Sequence, residues 1–325
     1  MFDAHSYNKG GVILNMLRQQ VGDEAFFQAL NLYLERHAFQ SVEVHDLRLA
    51  FERVSGQDLN WFFNQWFLDK GHPELFFEVD YSQPENILVS AYQAQDLEKA
   101  PLFQLPIEVS WYESGDRKSK TFFMTKAFQQ FALENGSPIS QVYLDEGKNL
   151  LARRTQEISS GQFVRQFKES KLGVARYEAL DSLVSREAKA ELTEIISLAV
   201  KDSFWSVREN ALGYLQNDPE LRSQIPGIED LVYDLAENDP KNSVRAAAID
   251  LLGVWDPNKY QNTFMRLANE PSYLIAGSAL MGLVSSDDNP IDSTIIERFS
   301  SDVNFRITVP VAEYFISQNV KGKGP

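Results

Sequence analysis

Asp202-Ser203-Phe204-Trp205-Ser206-Val207-Arg208-Glu209-Asn210-Ala211-Leu212-Gly213 returns as Asp239-Pro240-Lys241-Asn242-Ser243-Val244-Arg245-Ala246-Ala247-Ala248-Ile249. A looser copy is Glu270-Pro271-Ser272-Tyr273-Leu274-Ile275-Ala276-Gly277-Ser278-Ala279-Leu280, and an earlier echo is Val174-Ala175-Arg176-Tyr177-Glu178-Ala179-Leu180. The Ala-Leu or Ala-Ile pairs recur at intervals of 32, 37 and 31 residues, the scale of one helical hairpin. Small alanines let paired helices approach closely, and the Val and Leu positions fill the seam between neighbouring hairpins. Residues 161–325 therefore read as an α-solenoid of about four hairpins.

That solenoid, HEAT-like in its period, is expected to follow a β-sandwich spanning 74–160. Leu75–Tyr81, Ile87–Tyr92, Leu105–Tyr112, Thr121–Met124, Phe131–Leu133 and Gln141–Asp145 are short apolar runs. Pro84-Glu85-Asn86, Glu113-Ser114-Gly115-Asp116 and Asn135-Gly136 supply the turns between them. Residues 1–73 carry helical spacing instead. Leu14 and Leu17 share one stripe, and Gly22 stops that helix. Phe26, Phe27, Leu30 and Leu34 mark a second helix, Leu47 to Val54 a third, and Trp61 to Phe67 a fourth. Gly71-His72-Pro73 breaks the helical region. The expected architecture is multidomain and mainly α, with one small all-β domain between helical segments.

A chain of 325 residues can bury two or three separate cores. Its net charge of −15 repels phosphate backbones, which argues against nucleic acid or an anionic lipid surface as partner. No run of 18 or more apolar residues exists, so no membrane-spanning helix is expected. The absence of cysteine excludes disulfides and thiolate catalysis, and fits cytoplasm and periplasm equally, so no compartment is assigned.

The chemistry concentrates at the start. His5-Ser6-Tyr7-Asn8-Lys9-Gly10-Gly11 runs directly into the apolar helix Val12-Ile13-Leu14-Asn15-Met16-Leu17. A tyrosine in the first turn of an amphipathic helix commonly packs its ring and leaves its hydroxyl to water. Here the order and spacing resemble the catalytic-tyrosine stretch of the zinc aminopeptidase N family, Tyr-x-Lys-Gly followed by such a helix. Asp58-Leu59-Asn60-Trp61-Phe62-Phe63-Asn64-Gln65-Trp66 with Gly71-His72-Pro73 resembles the end of that family's catalytic domain. The succession of helical segment, small sandwich and helical superhelix is also the family's order.

The resemblance implies a C-terminal part of such an enzyme, with residues 1–73 as the helical end of its catalytic domain. In this family a zinc-bound water, activated by a glutamate of the zinc motif, attacks the scissile carbonyl. A tyrosine hydroxyl then donates a hydrogen bond to the developing oxyanion, a task suited to a phenol because it keeps its proton at neutral pH. Tyr7 is the residue the resemblance places in that role; Lys9 and Gly10 belong to the pattern without an assigned chemistry, Lys9 reading as a salt-bridging or solvated residue and Gly10 and Gly11 as permitting close packing.

No His-Glu-x-x-His motif occurs, and His5, His37, His45 and His72 lack the spacing of a zinc site. Zinc is therefore expected in the parent enzyme and not on this chain, which alone should be inactive. The implied partners are peptide N-termini as substrate and the absent N-terminal catalytic half. Arg208 and Arg245 are candidate substrate contacts on the solenoid, with bonding across the hairpins as their structural alternative. A contrasting reading makes the chain a non-catalytic helical-repeat module that holds a peptide or protein partner in its groove.

Overall fold

The computed structural model describes residues 5–186, 189–286 and 293–318. The chain is mainly helical with one small β region, and it divides into two compact units. The first takes residues 1–159 and 169–175, the second 160–168 and 176–325.

In the first unit a π-helical turn, His5–Lys9, feeds α1 (Gly10–Val21), which ends at Gly22. Helices α2 (Asp23–Arg36), α3 (Val44–Ser55) and α4 (Asn60–Phe63) follow, and α4 widens into a second π turn at Asn64–Leu68. A capping box starts α3: the Glu43 side chain accepts from the N3 amide, and Asp46 accepts from the Glu43 amide. The buried positions are Ile13, Met16 and Leu17, then Phe26 and Ala29, then Ala50 and Phe51, then Phe62, Phe63 and Trp66. Of the stripes expected from sequence, Leu17, Phe26 and Phe51 are buried and Leu14, Leu30, Leu47 and Val54 partly so, whereas Phe27, Leu34 and Leu49 are exposed.

Seven strands build the β region: β1 (Glu74–Asp80), β2 (Asn86–Gln93), β3 (Leu105–Glu113), β4 (Asp116–Met124), β5 (Phe128–Glu134), β6 (Tyr143–Leu144) and β7 (Arg153–Gln156). One sheet has the order β5-β2-β1-β7 and the other β4-β3-β6. Ile87, Val89 and Ala91 of β2 are buried with Leu105, Ile107 and Val109 of β3, the period-2 pattern of strands with one face in a core. Strand β7 was not expected from sequence. It is the polar Arg153-Arg154-Thr155-Gln156, held parallel to β1 by register rather than by apolar alternation.

A single core runs through the helices and both sheets. Trp66 stacks on Phe103 at 5.2 Å between centroids, and Trp61 meets Phe123 edge-on at 5.6 Å. Gln65 and Gln104 add a reciprocal side-chain-to-backbone pair. Trp66 and Phe103 are buried, and a fully buried large side chain contributes roughly 1.5–3 kcal/mol, so the helices are anchored on the strands by much more than a linker. Glu146 closes the same unit. Its buried carboxylate accepts from Ser110 Oγ, Tyr112 OH, Arg117 Nε and Ser170 Oγ at 2.8, 2.9, 2.7 and 2.6 Å. Burial pushes its pKa up, but these donors outweigh burial and hold it below the ordinary carboxylate value.

The second unit is helical among its described residues. Its elements are α5 (Ser160–Glu169) up to Lys168, α6 (Gly173–Ser185) from Arg176, α7 (Lys189–Ala199), α8 (Trp205–Asn217), α9 (Pro219–Gln224), α10 (Ile228–Asn238), α11 (Asn242–Trp255), α12 (Gln261–Leu267), α13 (Tyr273–Val284), α14 (Ser293–Glu297) and α15 (Phe305–Ser317). Helices α8, α11, α13 and α15 pack side by side in that order, with α10 against α11 and α12 against α13. Close approach is built into α13: a methyl group on Gly277 would lie 2.4 Å from the Arg306 carbonyl oxygen.

The repeat motif forms a ladder of ion pairs. Arg176 clamps Asp202 in bidentate fashion at 2.6 and 2.7 Å, and Arg208 clamps Asp239 at 2.6 and 2.8 Å. Arg245 reaches Glu270 at 3.1 Å. Each arginine thus binds the acid that opens the next copy of the motif, and Asp202 and Asp239 also accept from the backbone amides of Phe204 and Lys241.

Glu229 on α10 gathers Lys259 Nζ and Tyr260 OH, both at 2.6 Å, and Arg222 Nη2 at 2.9 Å. Hydrogen bonding from Lys259, then Tyr260 and Arg222, outweighs burial and holds its pKa down to about 2, against an ordinary 4.5. Because the folded value is the lower, the stabilisation is present above the unfolded pKa and is lost as pH falls from about 4.5 toward about 2. Thermal midpoints measured across that window should fall more steeply for the native chain than for Glu229→Gln. Parallel profiles would show that the cluster contributes nothing to acid stability.

Candidate functional site

Tyr7 lies in the π turn ahead of α1 and is 65% exposed, so its ring is not committed to the core. Such turns widen the helix by one residue and displace the side chains they carry. Lys9, the last residue of the turn, donates from Nζ to the Gly71 carbonyl at 3.4 Å. The two segments quoted from the sequence, Tyr7-Asn8-Lys9-Gly10 and Gly71-His72-Pro73, therefore meet in space. Gly71 is held in the left-handed region at φ 82°, and a methyl group there would come within 2.5 Å of Ala100 Cβ.

Helix α1 is also tied down beyond its first turn. Asn15 Nδ2 donates to Asn149 Oδ1 at 3.2 Å, and the Leu151 amide donates to Met16 Sδ at 3.3 Å. Both partners sit on the loop after β6, so the strands support the helix that carries Tyr7.

The other sequence candidates fall elsewhere. His45 and His72 are exposed, His37 is partly exposed, and the side chain of His5 lies outside those described. Among the described residues no group of three or more His, Asp or Glu could hold a metal ion, so a zinc does not fit the residues seen here. Arg208 is buried, at 8% exposure, and its guanidinium is spent on Asp239 and on the Asp202 carbonyl. Arg245 is spent on the Ala236 carbonyl and Glu270. The structural alternative for these arginines is the one observed. Lys9, expected from sequence to be salt-bridging or solvated, reaches a backbone carbonyl, and its spacing from Tyr7 is the signal in the sequence that points to it.

A match to a known family falls on the same segment. Residues 1–66 match the family model described as the Peptidase family M1 domain. The aminopeptidase N of Lactococcus lactis subsp. lactis is 25% identical over 298 residues, covering 83% of this chain and 34% of that protein. Aminopeptidase M1 of Arabidopsis thaliana is 37% identical over 73 residues, or 22% of this chain and 8% of that one. The tricorn protease-interacting factor F2 of Thermoplasma volcanium is 39% identical over 80 residues, covering 25% and 10%. The chain thus spans about a third or less of the relatives it matches. In fold it is similar to Legionella pneumophila aminopeptidase A, solved in complex with aspartic acid, with a TM-score of 0.64 at 14% identity. That likeness covers all of this chain and 48% of the other.

Proposed function

We propose that this chain, a C-terminal part of an aminopeptidase N family enzyme by its similarity to such proteins, serves the removal of N-terminal residues from peptides by supplying Tyr7. The observation that carries this reading is the position of Tyr7: within the segment matching the peptidase family, on the turn ahead of α1, with its ring exposed.

The chemistry assigned to the chain is electrostatic. When a nucleophile adds to the scissile carbonyl, the carbonyl oxygen gathers negative charge. The Tyr7 hydroxyl donates a hydrogen bond to that oxygen, an interaction stronger in the transition state than in the bound peptide, and so accelerates the reaction. Zinc in the parent enzyme would supply the activated water, but the described residues do not fit the metal, and no step through it is assigned to them. The helical second unit, taken as a HEAT-like superhelix, would restrict access to peptide N-termini, with the ion-pair ladder setting the spacing of its hairpins. Phe27, Leu34, Phe39, Leu49 and Leu68 are exposed on the helical part of the first unit, as expected of a surface covered by a further, zinc-bearing segment.

The test compares aminoacyl-amide hydrolysis by this chain with that by the longer polypeptide carrying it. The isolated chain is expected to show none, and the longer polypeptide, with a His-Glu-x-x-His upstream of Tyr7, is expected to turn over and to lose activity on chelation. Hydrolysis by the isolated chain, or a reading frame with no such motif upstream, would overturn the proposal.

A further inference from the structure

The loop after β6 is more constrained than a connection needs to be. Asp145 and Lys148 hold positive φ values of 46° and 55°, a region that non-glycine residues enter at a cost of order 1–3 kcal/mol each. The loop keeps this shape because the buried Asp145 carboxylate organises it. Oδ1 accepts from the Asn149 amide at 2.8 Å, and Oδ2 accepts from the Leu150 amide at 3.2 Å and Arg154 Nη1 at 3.0 Å. The outcome is that Asn149 Oδ1 and the Leu151 amide face α1, where they receive Asn15 and engage Met16.

Helix α1 is thereby fixed at its middle, but the turn that bears Tyr7 lies before its first residue. A contact at the last residue of the turn reaches back across that gap. Lys9 Nζ reaches the Gly71 carbonyl, and Gly71 is itself held by its left-handed conformation and its packing on Ala100, in the segment joining β2 to β3. No carboxylate pairs with Lys9 among the described residues, so its ammonium is directed to this carbonyl rather than to an ion pair. An ammonium held by a carbonyl fixes the end of a turn, and a catalytic donor displaced by about 1 Å loses much of its effect.

We propose that Lys9 is a positioning residue, through which the β-sandwich sets where the Tyr7 hydroxyl stands. This rests on the catalytic reading of Tyr7. Lys9 does not touch substrate; it acts through the turn.

The experiment uses the longer, zinc-loaded polypeptide and measures kcat, KM and the thermal midpoint for Lys9→Met, Lys9→Arg, Tyr7→Phe and the Lys9→Met/Tyr7→Phe pair. Lys9→Met should lower kcat about tenfold, with KM and the midpoint unchanged, and Lys9→Arg, which keeps a cationic donor, should restore most of the loss. In the Tyr7→Phe background the Lys9→Met change should cost nothing further, because the hydroxyl it positions is gone. A full further tenfold loss in the pair, or a normal kcat for Lys9→Met beside a depressed Tyr7→Phe, would overturn the inference and leave the role of Tyr7 standing. A normal kcat for Tyr7→Phe would overturn the role of Tyr7 and this inference with it.

Discussion

Replacing Tyr7 by phenylalanine in the longer polypeptide should lower kcat by about 10²–10³-fold, or about 2.7–4 kcal/mol of transition-state stabilisation, the usual effect of deleting one oxyanion donor. The substitution removes one oxygen and keeps the ring, so whatever the ring touches is retained. Since Tyr7 is 65% exposed, the thermal midpoint should not move. KM should stay near its native value, because a hydrogen bond made to the oxyanion is absent from the ground state. Peptides and aminoacyl-amides should suffer alike, because the oxyanion is common to both. Unchanged turnover would remove Tyr7 from the chemistry. A loss of stability in parallel with activity would instead identify the ring as a structural prop.

The role of Tyr7 rests on a local pattern, and local patterns were the legible part of the molecule. The helices α1 to α3 follow from side-chain periodicity and β2 and β3 from short apolar runs between turns, both displayed by a sequence directly, although the face each helix buries was only partly legible, since Phe27, Leu34 and Leu49 are exposed. The polar edge strand β7 carries no such signal, since its pairing with β1 is decided by the chain around it. The π turns at His5–Lys9 and Asn64–Leu68 were read as ordinary helix, because a one-residue widening leaves the apolar spacing almost unchanged. The contact of Lys9 with Gly71, 62 residues apart, is tertiary and could not be inferred from either segment alone. Arg208 and Arg245 show the converse. Their repetition was visible but left structure and recognition level, and it is the bonding of both guanidinia to Asp239, Glu270 and backbone carbonyls that decides for structure.

The ladder leads to the largest expected loss of stability. Asp239→Ala should destabilise the second unit by about 3–5 kcal/mol, as breaking a buried pair from one side does. Arg208 and Asp239 are each 8% exposed, so the guanidinium left behind could not easily be reached by water. The Lys241 amide, which donates to Asp239 at 2.8 Å, would lose its acceptor as well. Against a domain stability of about 5–15 kcal/mol, such a loss would shift the denaturation midpoint severely. Chemical denaturation followed by far-ultraviolet circular dichroism would measure it. The double replacement Arg208→Met/Asp239→Leu should cost less than the sum of its single changes, because it leaves no unpaired buried charge. Glu270→Ala, which breaks the longer 3.1 Å contact to Arg245 at a more exposed place, should cost no more than about 1 kcal/mol. If Asp239→Ala proved as mild as Glu270→Ala, these helices would be held by their apolar seam alone, and Asp202 and Asp239 would be explained by the backbone amides they cap rather than by their arginines.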